Sequence, residues 1–159
     1  MLAISPDNEF TFTAPIGYWR CEFQGDKLLT IRPIEPCREQ KITAPHHEKW
    51  YHILRSFFDS KGKNIPHFEQ PTNGTAFQQR VWHALGAIPA GTTRTYQELA
   101  AELNSGPRAV GQACRVNPYP LIIPCHRVIA KRGLGGYMGP NQSGLIIKQA
   151  LLAFEQEHH

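Results

Sequence analysis

The apolar positions of the chain change period near its first quarter. Ile16–Phe23 and Lys27–Ile34 carry strand-like alternation, and Gln24-Gly25-Asp26 between them predicts a hairpin turn. Over 46–59 the period becomes helical. Trp50, Ile53, Leu54, Phe57 and Phe58 fall at i, i+3, i+4, i+7 and i+8, which predicts one apolar stripe that Ser60-Lys61-Gly62 ends. Residues 60–74 are rich in Lys, Pro, Asn and Gly and read as a crossing between two lobes.

The second half is read as a series of short helices. Thr75-x-x-Gln78 is a capping box, with Phe77, Val81, Trp82 and Leu85 supplying an apolar face, and Pro89-Ala90-Gly91 is a turn. Thr95-x-x-Glu98 is a second capping box, followed by Tyr96, Leu99, Ala100 and Leu103 at helical spacing. Asn104-Ser105-Gly106 stops that helix, and Pro107 suits the first turn of the next. In this next helix Val110, Ala113 and Cys114 face inward, while Arg108, Gly111, Gln112 and Arg115 share the opposite face. Two short helices around a tight turn, with a basic and small-residue outer face, fit a helix-turn-helix, and equally an ordinary αα-hairpin with surface arginines. Asn117-Pro118-Tyr119-Pro120 predicts a stiff extended segment running through Leu121–Ile123 into Pro124-Cys125. Residues 131–139 read as a glycine-rich loop that folds over a pocket and places Tyr137. The chain closes with a helix over 143–157 that turns Ile147, Ala150, Leu151 and Phe154 to the core.

Composition narrows the class. With 159 residues, 41% hydrophobic and 19% charged, the chain is globular, and no apolar run approaches membrane-spanning length. The first residues lack a basic start and a long apolar stretch, so a cytoplasmic protein without a signal peptide or membrane partner is expected. Residues 1–70 hold 9 basic and 9 acidic side chains, whereas 71–159 hold 8 and 4, so the net charge of +4 sits in the second half. That half is a candidate for facing a polyanion. Cys21, Cys37, Cys114 and Cys125 form no CxxC or CxxH pair, and with His46 and His47 they match no zinc-ligand spacing. No metal and no cofactor are expected.

The candidate chemistry lies in Leu121–Val128. An apolar run delivers Cys125 with His126 and Arg127 directly after it. Apolar burial by itself makes a thiol inert, whereas a nearby base or positive charge favours the nucleophilic thiolate. Neighbouring side chains rarely face each other, so a Cys125–His126 link calls for a bridging water. Asn117 can brace the turn around the cysteine.

Pro124-Cys125-His126-Arg127-Val128, preceded by Asn117-Pro118-Tyr119-Pro120 and followed by Gly136-Tyr137, resembles the active-site signature of the O6-alkylguanine-DNA alkyltransferases. Gly74-Thr75-Ala76-Phe77-Gln78-Gln79-Arg80-Val81-Trp82, Thr95-Tyr96-Gln97-Glu98-Leu99-Ala100 and Arg108-Ala109-Val110-Gly111 resemble that family's C-terminal domain, in order and at similar spacing. The resemblance covers residues 74–155 and implies an α+β protein. Residues 1–70 would form a small structural α/β lobe, a sheet plus helix of RNase H-like type. Residues 71–159 would form a mostly helical DNA-binding domain with the helix-turn-helix and the reactive cysteine.

The implied activity is DNA repair by direct reversal, carried out by a monomeric protein. Such proteins bind duplex DNA through the minor groove and flip the damaged guanine. They then move its O6-alkyl group irreversibly to cysteine, which makes each copy a single-turnover methyltransferase. O4-alkylthymine is a further candidate lesion. By the resemblance Cys125 accepts the alkyl group, His126 is the water-linked base and Asn117 holds the turn. Tyr96 assists flipping and donates a proton. Arg108 fills the gap left by the base, with Gln112 and Arg115 on the same DNA-facing surface. Val128, Tyr137 and Met138 line the pocket, and the carbonyls of Cys125 and Val128 accept from the exocyclic amine. Three positions depart from the family pattern. Gln149 is read in place of the glutamate that holds the histidine, Met138 replaces a serine, and Gly106-Pro107 replaces small residues before the arginine. The alternative is a non-catalytic sensor of alkyl lesions on the same scaffold, in which the cysteine is replaced. A cysteine hydrolase leaves the helix-turn-helix without a use, and a transcription factor leaves Cys125 without one.

Overall fold

A computed structural model describes residues 6–38, 42–136 and 142–157. Three antiparallel strands, β1 (Glu9–Thr13), β2 (Tyr18–Gln24) and β3 (Lys27–Ile34), form a sheet in that order. The hairpin is where the alternation predicts it. Trp19, Cys21 and Phe23 point to the buried face of β2, and a register shift between Glu22 and Phe23 marks a bulge. Strand β1 lies outside the predicted set. Its Phe10, Thr11 and Phe12 are buried in succession, so it carries no alternation to read.

Helix α1 (Pro45–Asp59) packs its stripe on this sheet. Phe12 meets Tyr51 and Phe58 with ring centroids 5.3 and 5.9 Å apart. Both histidines at the start of α1 hold the same carbonyl, that of Asp7, through Nε2 at 2.9 and 3.0 Å, tying the N-terminal turn Pro6–Asn8 to the helix.

Helix α2 (Ala76–Gly86) and helix α3 (Tyr96–Glu102) each begin with the predicted capping box, complete in both directions. Helix α4 (Pro107–Arg115) follows after Asn104, whose φ of 52° turns the chain, and Pro107 occupies its first turn. The Trp82 indole N–H donates to the Ala113 carbonyl at 2.9 Å, and the Arg80 guanidinium donates to the Leu103 carbonyl at 3.2 Å. These two bonds set the angle of α4 and the turn before it against α2. Two short strands, β4 (Arg94–Thr95) and β5 (Val128–Ile129), pair in parallel. Helix α5 (Gln142–Gln156) completes a mixed α/β architecture. None of the described helices is long and apolar enough to cross a membrane.

One prediction fails between α4 and the cysteine. Residues 117–123 fold back on themselves rather than extend. The Ile123 amide donates to the Tyr119 carbonyl at 2.9 Å, and Leu121 takes a φ of 82°. Proline fixes its own φ at a value that turns share with extended chain, so the two prolines do not decide between them. The decision comes from Asn117 and from the edge of the sheet. The Ile31 amide of β3 donates to the Pro118 carbonyl at 2.8 Å, and the Tyr119 hydroxyl donates to the Leu28 carbonyl at 2.7 Å.

Candidate active site

Cys125 lies at the start of a single 3-10 turn, Cys125–Arg127, between that folded segment and β5. It is 3% exposed. Asn117 holds the approach. Its Nδ2 donates to the Ile123 carbonyl at 2.8 Å and its Oδ1 accepts from the Tyr119 amide at 2.9 Å, and its amide lies close enough to favour the Cys125 thiolate. Asn117 thus ties together the backbone of the segment that leads into Cys125. Burial pushes the Cys125 thiol up to about 11, against the Asn117 amide and the positive charge of Lys148, which both lower it. Burial thus favours the protonated thiol in the free protein.

His126 is fully buried, with its ring edge-on to Phe57 at 6.1 Å. Its Nε2 is 2.9 Å from Glu155 Oε2. This corrects the expectation for Gln149. Gln149 is exposed on α5, and the carboxylate that meets His126 stands six residues further along the same helix. The histidine therefore has a full negative charge beside it. Burial would raise the Glu155 carboxyl, but hydrogen bonds and positive charge from His126 and Arg127 hold it at about 2. Burial likewise lowers His126, opposed by the hydrogen bond and charge of Glu155, and so favours the neutral imidazole. An ionised carboxylate accepts only, so Nε2 carries the proton and Nδ1 keeps the lone pair.

Arg127 completes this cluster. Its Nε donates to Glu155 Oε1 at 2.9 Å and its Nη2 to Oε2 at 2.6 Å, a two-pronged contact. Nη1 donates to the Ile88 carbonyl at 2.7 Å and Nη2 also to the Gly62 carbonyl at 3.2 Å.

Lys148 is fully buried within electrostatic reach of the cysteine, and the sequence reading missed it. Its ammonium donates to the carbonyls of Val128 at 2.6 Å and Gly136 at 2.8 Å, and to the Tyr96 hydroxyl at 3.5 Å. Burial lowers it to about 8, against the attraction of Cys125 and Cys114. Tyr96, half-buried, is raised to about 12 by burial and by the charges of the two cysteines, and its hydroxyl also donates to the Gly136 carbonyl at 3.4 Å. Gly135, with φ of 73°, has its missing Cβ position 2.8 Å from Tyr96 Cε2, so the loop approaches the tyrosine too closely for any side chain. Lys148 and Glu155 flank buried Leu151 at i, i+3 and i+7 on α5. That spacing places both on the buried face of α5, but nothing in it names the partners they meet.

On α4 the predicted division is present: Arg108, Gln112 and Arg115 are exposed, while Val110, Ala113 and Cys114 are buried. Apart from the adjoining residues and backbone of α4 itself, no heavy atom lies within 4 Å of where a Gly111 side chain would begin, so this face is open. Val128 is buried beside Cys125, while Tyr137 and Met138 lie outside the described residues.

The arrangement is a buried thiol with a carboxylate-held imidazole next to it in the chain, a buried ammonium and a tyrosine hydroxyl, all beside an exposed helix face with two arginines. It suits proton removal from sulfur and proton delivery to a leaving group within one enclosed space.

Residues 76–157 match the family model described as 6-O-methylguanine DNA methyltransferase, DNA binding domain. A methylated-DNA–protein-cysteine methyltransferase of Mycolicibacterium paratuberculosis is 47% identical, over 93% of this chain and 92% of that protein. The Mycobacterium tuberculosis O6-methylguanine methyltransferase superposes with a TM-score of 0.71 at 32% identity, over 94% of this chain and 93% of that one. Mycobacterium tuberculosis OGT in complex with DNA gives a TM-score of 0.74 at 37% identity, over 93% and 92%.

Proposed function

The chain belongs to the O6-methylguanine-DNA methyltransferase family, and from that membership we propose that it repairs duplex DNA by moving the alkyl group of O6-alkylguanine to its own Cys125. The observation that carries this reading is the buried Cys125–His126–Glu155 arrangement, together with α4, which turns Cys114 inward to within electrostatic reach of Cys125 and leaves Arg108, Gln112 and Arg115 exposed.

Duplex DNA docks on α4, whose pairing with α3 serves as a helix-turn-helix in the minor groove. Arg108, Gln112 and Arg115 meet the strands, and Arg108 enters the stack in place of the flipped base. The base enters between the 131–136 loop and β5, where the Val128 carbonyl, which already accepts from Lys148 at 2.6 Å, has a second lone pair for its exocyclic amine. His126 Nδ1 removes the thiol proton across a bridging water, and the imidazolium that forms is stabilised by Glu155, 2.9 Å from Nε2. The Cys125 sulfur attacks the alkyl carbon. The C–O6 bond breaks, its electron pair stays on the guanine, and the Tyr96 hydroxyl supplies the proton that neutralises the base. Lys148, 3.5 Å from that hydroxyl, stabilises the charge left on Tyr96. The thioether that results has no proton to lose and no leaving group, so each chain reacts once.

Intact-mass analysis after incubation with O6-methylguanine duplex tests this. The expected result is the gain of one methyl group, mapped to Cys125 and absent in Cys125→Ser. Tight lesion binding without any gain of mass would replace transfer with lesion sensing.

A further inference from the structure

Arg127 is chemically the least explained member of the buried cluster. Its guanidinium reaches three parts of the chain at once. It grips both oxygens of Glu155 on α5, the Ile88 carbonyl just after α2, and the Gly62 carbonyl in the turn that ends α1. The Gly62 amide itself closes the end of α1 by donating to the Phe57 carbonyl at 2.7 Å. A helix C-terminus presents partial negative charge and so favours a cation there. Gly62 has a φ of 82°, and a Cβ on it would lie 2.5 Å from Glu155 Oε2 and 2.7 Å from Arg127 Nη2. The end of α1 is thus fitted against the carboxylate that holds His126, with space for glycine only. Phe57, one turn back, also sets its ring against His126.

We propose that Arg127 and Gly62 are positioning residues for alkyl transfer: the end of α1 anchors Arg127, Arg127 fixes the charge and orientation of Glu155, and Glu155 thereby sets the tautomer of His126. The first 62 residues are then part of the proton-transfer machinery and more than a scaffold beside it. This rests on the transfer reading above for its consequence, but the chain of contacts can be read without any substrate.

The physical reason is the cost of a buried carboxylate. Without a partner, burial would raise Glu155 and return its proton. The titratable and charged groups around it are His126 and Arg127 from the 3-10 turn, with Lys148 from its own helix acting on the same imidazole. Only Arg127 among them holds both carboxylate oxygens. A protonated Glu155 would no longer stabilise an imidazolium and would no longer require the proton on Nε2. The acid limb of the rate profile would then move to higher pH.

The test compares full-length Arg127→Lys, Arg127→Met and Gly62→Ala with the parent protein. Single-turnover methyl transfer is followed as a function of pH. The His126 tautomer is followed separately by ¹⁵N NMR of labelled histidine, assigned by the signals lost in His126→Asn. The expected results are a transfer rate lowered roughly tenfold to a hundredfold in Arg127→Met, the range typical when a residue that orients a reacting group is lost. Arg127→Lys recovers part of the rate, the acid limb moves to higher pH in both, and Gly62→Ala shifts in the same direction. Affinity for undamaged duplex is unchanged. Arg127→Met leaves a buried carboxylate against an apolar side chain, so if it unfolds, Arg127→Lys and Gly62→Ala decide. Folded variants with the parental pH profile and a parental Nε2-protonated His126 overturn the inference. A parent protein that gains no methyl group refutes the transfer reading alone, since the tautomer measurement still decides the role of Arg127.

Discussion

Glu155→Gln isolates the charge at the centre of the site while nearly preserving its shape. The carboxyl titrates at 4.5 when unperturbed and at about 2 in the fold, where His126 and Arg127 overcome the opposing effect of burial. That difference corresponds to roughly 3 kcal/mol of folding free energy at neutral pH. Loss of one partner from a buried ion pair costs ~3–5 kcal/mol by direct mutation, so two independent routes agree in magnitude. The pH dependence has a definite sign. The folded carboxyl binds its proton less readily than the unfolded one, so the contribution is complete above pH 4.5 and is lost as the pH falls through 4.5 towards 2. Urea unfolding of parent and variant over this range measures it, because the difference between the two chains cancels the other carboxylates. The expected gap is roughly 3 kcal/mol at neutral pH, narrowing through the acid window. A gap below about 0.5 kcal/mol, or one of constant size across the window, would refute the buried Glu155–Arg127 pair as the source.

Three further outcomes follow from the same contacts. Asn117→Ala strips partners from the Ile123 carbonyl and Tyr119 amide, with an expected cost of about 1–3 kcal/mol in urea unfolding. It also raises the Cys125 thiol further, seen as slower iodoacetamide labelling of that residue in peptide mass maps. Lys148→Met removes the ammonium that lowers the same thiol, so Cys125 is labelled more slowly at neutral pH, while an unchanged labelling rate counts against the electrostatic link. Arg115→Ala weakens binding to damaged and undamaged duplex alike and reduces the slope of log affinity against log salt by about 1, measured by fluorescence anisotropy.

What the sequence alone determined is local or periodic. The hairpin 18–34, the stripe of α1, the two capping boxes and the division of α4 into an apolar and a basic face all follow from spacing within one element. The reactive stretch was legible for a similar reason, since cysteine, histidine and arginine are consecutive there. What the tertiary structure decided is which distant groups meet. Glu155 falls in a polar terminal run, Glu155-Gln156-Glu157, that reads as solvated, and only the packing of α5 against the 3-10 turn buries it on His126 in the place expected of Gln149. Lys148 was equally hidden, because a lysine next to Ile147 gives no sign of the three oxygens that await its ammonium. The turn at Leu121 needed the edge of β3, and the parallel pairing of β4 with β5 needed chain segments more than thirty residues apart. Periodicity reports which face of an element is apolar. A buried charge is stable only beside partners that come from elsewhere in the chain, and three separate segments supply them here: Gly62, Ile88 and Glu155 around Arg127.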